Sequence, residues 1–267
     1  MNDTVSEAEL AAGRGYERLF VPALFGPWTK HVIAAADIQK GSRVLDIACG
    51  TGILARDARS AIGETGRVTG LDPAPGMIAT AQEIAPDMEW VRGSAEDLEF
   101  EDATFDRVLC QFGMMFFQHP QKAVKEMYRV MAPGGRLAVA VWNSIVNNPA
   151  YEDIIDVLDE QVGIAAGDAL RLPFSMGDAS EVTKLLDNSG FSDIAADTRT
   201  EQANFPSARA MVEAELRGWL PLFDINLDEE EIAEVLTRSD ILLAKYATPS
   251  GEAVFPTSAH VVTASKR

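Results

Sequence analysis

Cysteine and histidine are scarce in this chain of 267 residues, which holds two cysteines and three histidines. Two cysteines, Cys49 and Cys110, cannot provide the disulfide framework of a small secreted domain, so we expect a reducing compartment. Neither cysteine has a histidine partner nearby in the sequence, and no cluster shows metal-ligand spacing. We therefore predict no metal site, and we expect His31 and His260 to be structural.

Long apolar runs are also missing. No run approaches the ~20 residues of a membrane-spanning helix. The N-terminal stretch MNDTVSEAELAAGRGYERLF has no apolar core like that of a signal peptide. The sequence therefore predicts no membrane span and, with its few cysteines, a cytoplasmic protein.

Positive charge is in short supply, because 23 Lys and Arg residues stand against 41 Asp and Glu residues, a net charge of −18. Nucleic-acid binding takes most of its affinity from basic patches, so an RNA or DNA partner is disfavoured. The acidic excess is typical of a protein kept soluble by its charge. A G-x-S-x-G elbow is absent too, which removes the usual serine hydrolase.

What the chain does have is a regular alternation of short apolar runs and helical stretches. The apolar runs predict strands at 43–48, 67–72, 88–93, 105–112 and 135–142, and the stretches between them predict helices at 53–62, 75–85 and 120–131. Such alternation indicates βαβ units and a parallel sheet covered on both faces, an α/β fold. RVLDIA and RLAVAVW are nearly all apolar, as expected of strands buried on two sides.

The predicted organisation is one domain, 1–267, with three parts. Apolar residues at helical spacing predict N-terminal helices over 1–36, ahead of a core of alternating strands and helices over 40–145. After Trp142 we expect two helices, the second with a glycine cap at Gly190, and then a strand. Residues 207–245 predict a helical cap inserted over the sheet, and TSAHVVTASKR predicts a closing strand.

A glycine-rich turn follows the first predicted strand. Gly50, Gly52 and Ala55 make a G-x-G-x-x-A string, which alone is a weak signal shared with dinucleotide-binding sites. Asp72, at the end of the next strand, suits ribose hydroxyls in either kind of ligand. Asp46 decides between them, because a carboxylate just before the turn would repel a pyrophosphate and suits a ligand with an ammonium group.

Four ordered stretches then carry a resemblance to a known family: VLDIACGTG, VTGLDPAPGMIATAQ, GSAEDLEFEDATFD and YRVMAPGGRLAVAVW. They resemble the class I S-adenosylmethionine-dependent methyltransferases, and among these the ubiquinone and menaquinone biosynthesis branch. The match is dense over residues 40–145 and looser beyond. It implies S-adenosyl-L-methionine as cofactor and a Rossmann-like, doubly wound sheet of seven strands, mostly parallel with an antiparallel last strand, under a helical lid.

The resemblance also implies roles for individual residues. The turn from Asp46 to Gly52 would hold the methionine part of the cofactor, Asp72 the ribose, and Ser94 or Glu96 the adenine amino group, since relatives often carry Asp at position 94. The full set of cofactor-binding residues predicted in this way is Asp46, Ala48, Gly50, Thr51, Gly52, Asp72, Pro73, Met77, Ser94, Ala95, Glu96, Gln111 and Phe112.

Catalytic residues are harder to find, because transfer of a methyl group from a sulfonium needs mainly positioning and desolvation. A general base is required only when the nucleophile arrives protonated. His119, after the fourth strand, and Tyr16, on an N-terminal helix, are the candidates. An apolar pocket wall is predicted from Phe20, Phe25, Trp28, Met114, Met115 and Phe116.

The sequence thus predicts a methyltransferase for a small organic acceptor, with an apolar or aromatic one favoured. The alternatives are a non-catalytic protein that binds S-adenosylmethionine, an NAD-dependent oxidoreductase that uses the glycine string, and a relative that catalyses rearrangement or cyclisation. Substrate, acceptor atom and oligomeric state, a homodimer included, stay open at this stage.

Overall fold

The structure is a computed structural model that describes residues 5–267. Residues 1–4, with which the predicted N-terminal lid begins, lie outside the described residues. No helix among residues 5–267 combines the length and apolar character needed to cross a bilayer.

Seven strands form one sheet in the order β3-β2-β1-β4-β5-β7-β6. Their bounds are Arg43–Ile47 (β1), Arg67–Asp72 (β2), Glu89–Arg92 (β3), Phe105–Gln111 (β4), Met131–Trp142 (β5), Ser192–Phe205 (β6) and Ala253–Ser265 (β7). β1 to β5 pair in parallel, whereas β7 runs antiparallel between β5 and β6. The predicted Rossmann-like sheet with an antiparallel last strand is confirmed.

Ten α-helices flank this sheet in the described part of the chain. They are Glu7–Phe20 (α1), Gly26–Ala36 (α2), Ile53–Ile62 (α3), Pro75–Ile84 (α4), Pro120–Val130 (α5), Pro149–Gln161 (α6), Ile164–Arg171 (α7), Ala179–Asp187 (α8), Ala208–Ala214 (α9) and Glu229–Leu243 (α10). Two π-helical turns, Val21–Phe25 and Glu215–Trp219, join α1 to α2 and follow α9. Short 3-10 turns lie at Met114–Phe116, Ile145–Asn147, Leu172–Phe174, Leu220–Phe223 and Ala244–Tyr246.

The fifth strand begins earlier than its apolar run indicates. It starts at Met131, directly after α5, whereas the sequence places a helix to 131 and a strand from 135. Met131 pairs with Phe105, and the register shifts before Arg107 pairs with Arg136. The extra residues of β5 at this shift include Pro133, Gly134 and Gly135, which from sequence alone indicate a turn.

The predicted cap packs with helices from the segment between β5 and β6. Residues 207–245 supply α9, a π turn and α10, the last begun by a capping box between Asp228 and Glu231. α6 packs against α10 and α7, so the segment between β5 and β6 also contributes. α7 is missing from the sequence prediction. It begins after Gly163, whose φ of 124° lies in the region that favours glycine.

The N-terminal helix lies against α4 through a contact between two glycines. A capping box between Ser6 and Glu9 begins α1. A Cβ on Gly13 would lie 2.6 Å from the carbonyl oxygen of Gly76, and one on Gly76 would lie 2.6 Å from the carbonyl carbon of Glu9. The two backbones therefore touch, and this contact fixes where α1 crosses the edge of the sheet.

Gly13→Ala should therefore weaken the docking of α1, because the added methyl group must push two backbones apart. We expect a loss of about 1–3 kcal/mol in the free energy of unfolding, measured by urea denaturation. Gly15→Ala is the matched control, since a Cβ there meets no atom within 4 Å. It should stabilise α1 by about 0.5–1 kcal/mol, because Ala is the better helix former. Equal effects from the two variants would contradict the contact.

Candidate active site

The strand order places a crevice at the carboxyl ends of β1 and β4. The chain goes from β1 outward to β2 and β3 and then returns to β4 on the other side of β1. In open α/β sheets, ligands bind outside the carboxyl ends of the strands at such a reversal. The predicted glycine turn follows β1 and the predicted pair Gln111 and Phe112 ends β4, so both lie at this reversal.

The turn after β1 is held by the carboxylate of Asp72. Its Oδ2 accepts a hydrogen bond of 2.9 Å from the Gly50 amide, and its Oδ1 accepts one of 2.9 Å from the Ala74 amide. Ala48, Gly50 and Gly52 have φ values of 55°, 56° and 88°, so the turn is left-handed at three positions. Each carboxylate oxygen has a further lone pair, which leaves Asp72 able to accept from a ligand hydroxyl as well.

Trp90 on β3 explains why Gly52 and Gly70 lack side chains. A Cβ on Gly52 would lie 2.6 Å from an indole carbon of Trp90, and the same ring covers Gly70. The indole Nε1 donates to the carbonyl of Ala85 at 2.9 Å, which fixes the ring. The glycine turn thus rests on a tryptophan that sequence reasoning missed.

Asp46 is a buried carboxyl that has no ion-pair partner among residues 5–267. It is 1% exposed, and neither oxygen has a hydrogen-bond partner of regular geometry among the described residues. Burial raises the pKa of Asp46 to about 8, with a further rise from the charge of Asp72 and a partial offset by the Ala55 amide. A cationic ligand at the turn would supply the missing partner, because an opposite charge favours the ionised carboxylate.

The N-terminal helix reaches the turn with two neighbouring side chains. Built on Gly50, a Cβ would lie 3.7 Å from a ring carbon of Tyr16 and 3.8 Å from its hydroxyl oxygen. Glu17 accepts a hydrogen bond from the Thr51 hydroxyl at 2.5 Å and pairs with Arg56 at 2.7 Å. Burial is the main cause that raises the pKa of Tyr16 far above its usual range, so its phenol stays protonated at neutral pH.

The predicted adenine-side residues are a mixed group. Ala95 is buried, Met77 on α4 is half-buried, and Pro73 is exposed. Ser94 accepts a hydrogen bond from the Glu96 amide at 3.2 Å, which is ordinary turn chemistry. Their roles toward a cofactor stay predictions.

His119 meets Glu96 through its backbone rather than its ring. The His119 amide donates to Glu96 Oε1 at 2.9 Å, and its side chain makes no capping bond to α5. The ring is exposed. Of the two catalytic candidates, the structure brings only Tyr16 into contact with the glycine turn.

The end of β4 carries two further predicted residues. Gln111 Nε2 donates to the carbonyl of Phe25 at 3.1 Å, while its Oε1 is buried without a hydrogen-bond partner. Phe112, with φ of 55°, stacks on Trp142 with ring centroids 3.7 Å apart and planes 6° apart. The structure thus joins the end of β4 to the lid on one side and to β5 on the other.

The predicted pocket wall divides into three groups. Phe20 and Phe25 contact Tyr16, with ring centroids 6.1 and 5.2 Å away. Trp28, Met114 and Met115 are buried in the core. Phe116 is exposed and contacts Trp219 of the cap at 5.5 Å.

The remaining histidines lie in other parts of the fold. His31 Nε2 contacts Glu201 Oε1 at 2.5 Å, and His260 contacts Thr198 at 2.9 Å and the carbonyl of Gly177 at 3.0 Å. Within residues 5–267 no group of three His, Cys, Asp or Glu side chains is arranged to hold a metal ion.

Sequence reasoning missed one buried carboxyl, that of Glu215 in the cap. It is 7% exposed and accepts a hydrogen bond of 3.4 Å from the hydroxyl of Tyr151 on α6. Burial raises the pKa of Glu215 to about 8, which the Tyr151 hydrogen bond partly offsets. One signal was available: Glu215 falls on the apolar face formed by Met211 and Leu216, where a charged residue is out of place.

Comparison with known proteins places this site in a family. The model described as "Methyltransferase domain" matches residues 44–135. A ubiquinone/menaquinone biosynthesis C-methyltransferase UbiE from Cronobacter sakazakii is 31% identical over 183 residues, 62% of this chain and 73% of that protein. The chain belongs to the class I S-adenosylmethionine-dependent methyltransferases.

Two further comparisons show how much of this chain is similar to known methyltransferases. A demethylmenaquinone methyltransferase from Staphylococcus epidermidis is 36% identical over 130 residues, 48% of this chain and 54% of that protein. The chain therefore spans about half the length of such curated relatives. A phosphoethanolamine N-methyltransferase 2 from Haemonchus contortus, solved with S-adenosyl-L-methionine, shares the fold at a TM-score of 0.60 and 15% identity, covering 99% of this chain and 61% of that one.

The residues at this reversal of the strand order fit the cofactor of the family. Asp46, whose carboxyl has no regular hydrogen bond among the described residues, lies just before the left-handed turn. The carboxylate of Asp72 holds the turn through the Gly50 amide. These are the groups that an ammonium and a pair of ribose hydroxyls require.

The burial of Asp46 should make stability depend on pH. Its folded pKa of about 8 lies above the unfolded value of about 3.9, so the neutral form's contribution is full below about pH 4 and is lost as pH rises through about 8. Asp46→Asn, which cannot ionise, should gain several kcal/mol over the parent chain between about pH 5 and about pH 9. Urea unfolding across that range measures the difference.

Asp87→Asn is the control for this comparison, because Asp87 is exposed. It should follow the pH dependence of the parent chain. If the free energy of unfolding of Asp46→Asn changed with pH as that of the parent chain does, a buried neutral carboxyl at position 46 would be ruled out.

Proposed function

We propose that the chain transfers the methyl group of S-adenosyl-L-methionine to a small organic acceptor with an apolar or aromatic body. The observation that carries this proposal is the unpartnered Asp46 carboxyl behind a left-handed turn held by Asp72. It is supported by relatives whose names place them in ubiquinone and menaquinone biosynthesis. Quinone-like acceptors have the aromatic body that the phenyl and indole rings around the turn would accommodate.

When bound, the cofactor supplies an electrophilic methyl group on a sulfonium. In this proposal Asp46 balances the ammonium end, directly or through water, and Asp72 accepts from the ribose hydroxyls while holding Gly50. Met77, Ala95 and Ser94 would lie beside the adenine. These assignments rest on the family's motifs together with the positions described above.

Tyr16 is our choice over His119 for a role near the reacting atoms. Its ring covers Gly50, whereas the His119 ring is exposed and joins the site through its amide alone. Because the pKa of Tyr16 is raised far above its usual range, the phenol would act as a hydrogen-bond donor and a wall rather than as a base. Thr51 and Arg56 hold the adjacent Glu17, so α1 would exclude water from the methyl group.

Partners and location follow from the charge and the cysteines. The net charge of −18 argues against a nucleic-acid substrate. Both cysteines are free and buried, which suits a reducing compartment such as the cytoplasm. The proposed protein is therefore cytoplasmic and acts on no nucleic acid.

Calorimetric titration with S-adenosylmethionine, S-adenosylhomocysteine and NAD in parallel tests the cofactor. We expect micromolar binding of the two sulfur compounds and none of NAD. A panel of phenols, quinols, amines and carboxylates, assayed for S-adenosylhomocysteine release, then tests turnover. Binding of NAD alone would refute the proposal, and cofactor binding without turnover across the panel would favour a binding protein.

Asp72→Ala should lower the affinity for S-adenosylhomocysteine at least tenfold. It removes hydrogen bonds to a charged group, worth about 1.5–3 kcal/mol each, and frees the Gly50 amide. Asp72→Asn keeps one accepting oxygen and should lose less. Asp87→Ala is the exposed control and should bind as the parent chain does. If Asp72→Ala had unchanged affinity and a normal circular dichroism spectrum, this placement of the cofactor would be wrong.

A further inference from the structure

Aromatic side chains connect the glycine turn to the cap along one side of the crevice. From Tyr16 the ring contacts pass to Phe25 at 5.2 Å, from Phe25 to Trp142 at 6.3 Å and from Trp142 to Phe174 at 6.3 Å. Phe174 then contacts Tyr151 at 5.5 Å. This side draws on the lid, the end of β5 and the segment after α7.

A second path joins the same two tyrosines. Tyr16 contacts Phe20 at 6.1 Å, Phe20 contacts Phe205 at 5.7 Å, and Phe205 contacts Phe255 at 6.0 Å. Phe255 contacts Tyr151 at 6.2 Å, which closes the circuit. Within residues 5–267, only one ring contact crosses from the first path to the second. It joins Phe25 to Phe20, next to Tyr16.

We propose that Tyr151 and Glu215 form the polar end of the acceptor pocket, and that Glu215 takes the proton that the acceptor loses. The aromatic circuit would enclose the acceptor's ring, with Tyr16 at the cofactor end and Tyr151 at the cap end. This inference rests on the proposed function and adds to it a residue that accepts the proton from an acceptor with an ionisable hydroxyl on its aromatic ring.

The surroundings of Glu215 set it apart from the other acids of the cap. It opens the π-helical turn Glu215–Trp219, and π turns within helices occur frequently at functional sites. Its neighbour Glu213 pairs with Arg217 at 2.9 Å, whereas Glu215 forms no ion pair within residues 5–267. A carboxylate so buried and without a cation is costly to keep ionised, so its charge state responds to what enters the space beside it.

Tyr151 links this carboxyl to the cofactor end. Its hydroxyl donates to Glu215, and the pKa of Tyr151 is raised by burial first and then by the charge of Glu215. Tyr16 in turn covers Gly50. The titratable groups that act on Glu215 and Tyr151 are thus each other and Tyr16, and no cation is among them.

The chemistry balances with these groups alone. An electron pair on the acceptor's oxygen, or on a ring carbon activated by that oxygen, forms the bond to the methyl carbon. The carbon–sulfur bond breaks with its electron pair on sulfur, which becomes a neutral thioether. The acceptor's proton passes to the Glu215 carboxylate and leaves to water after product release. A base whose pKa is near the working pH suits this step.

The experiment uses 2-naphthol, a fluorescent phenol whose neutral and ionised forms emit at different wavelengths. It is titrated into the full chain with and without S-adenosylhomocysteine, at several pH values around 8. We expect binding by the parent chain, with naphtholate emission that grows as Glu215 ionises. Glu215→Gln should bind at least tenfold more weakly or lose the naphtholate emission, and it should stay folded because the parent carboxyl is largely neutral at pH 7.

Two variants separate this role from a structural one. Glu213→Gln makes the same change two residues away, on a half-exposed side chain, and should behave as the parent chain does. Tyr151→Phe keeps the ring of the circuit but removes the hydroxyl, so it should retain binding and shift the pH at which naphtholate emission appears. A structural role would not move that pH.

The outcomes are distinct from those of the cofactor test. Failure of the parent chain to bind 2-naphthol would overturn the aromatic pocket, and unchanged emission in Glu215→Gln would overturn the role of Glu215. Failure to bind S-adenosylhomocysteine would instead overturn the proposed function, while the titrations without it would still report on Glu215.

Discussion

The candidate site depends on one carboxylate that spans two strand ends. Asp72 closes β2 and accepts hydrogen bonds from the Gly50 amide after β1 and from the Ala74 amide ahead of α4. With the Trp90 ring beneath Gly52, this carboxylate fixes the left-handed turn beside which Tyr16, Thr51 and the buried Asp46 lie. Charge-assisted hydrogen bonds to backbone are among the stronger ones, which suits a group that fixes the geometry of its neighbours.

The carboxyl groups of this acidic chain are of two kinds, those paired with arginines and those that are buried. Some lie nearer the surface and pair with arginines, as Glu83 does with Arg14 and Asp106 with Arg43. Asp46, Asp72 and Glu215 are buried instead, and burial raises the pKa of all three, that of Asp46 and of Glu215 to about 8. Asp46 lies below the turn and Glu215 in the cap, so the space between them would be bounded by groups that change charge near neutral pH.

Local patterns were enough to predict the strands, the glycine turn and its two acids. β1 is apolar because both its faces are covered, and Gly50 and Gly52 stand where the backbone is left-handed. What the sequence could not show is which distant residues meet. Trp90 beneath Gly52, and Glu215 against Tyr151, are contacts across 38 and 64 positions of the chain. α7 and the early start of β5 were missed because glycine and proline there indicate turns, and tertiary packing overrode that preference.

The place of β7 in the sheet has a consequence for how the chain is assembled. β6 is joined to the sheet only through β7, which follows it by some fifty residues of cap. During synthesis β1 to β5 can therefore pair while β6 still has an open edge on both sides. Such unpaired edges are sites of misassociation. Polar residues such as Asp197, Arg199 and Gln202 along β6 would keep that waiting strand from pairing with other chains.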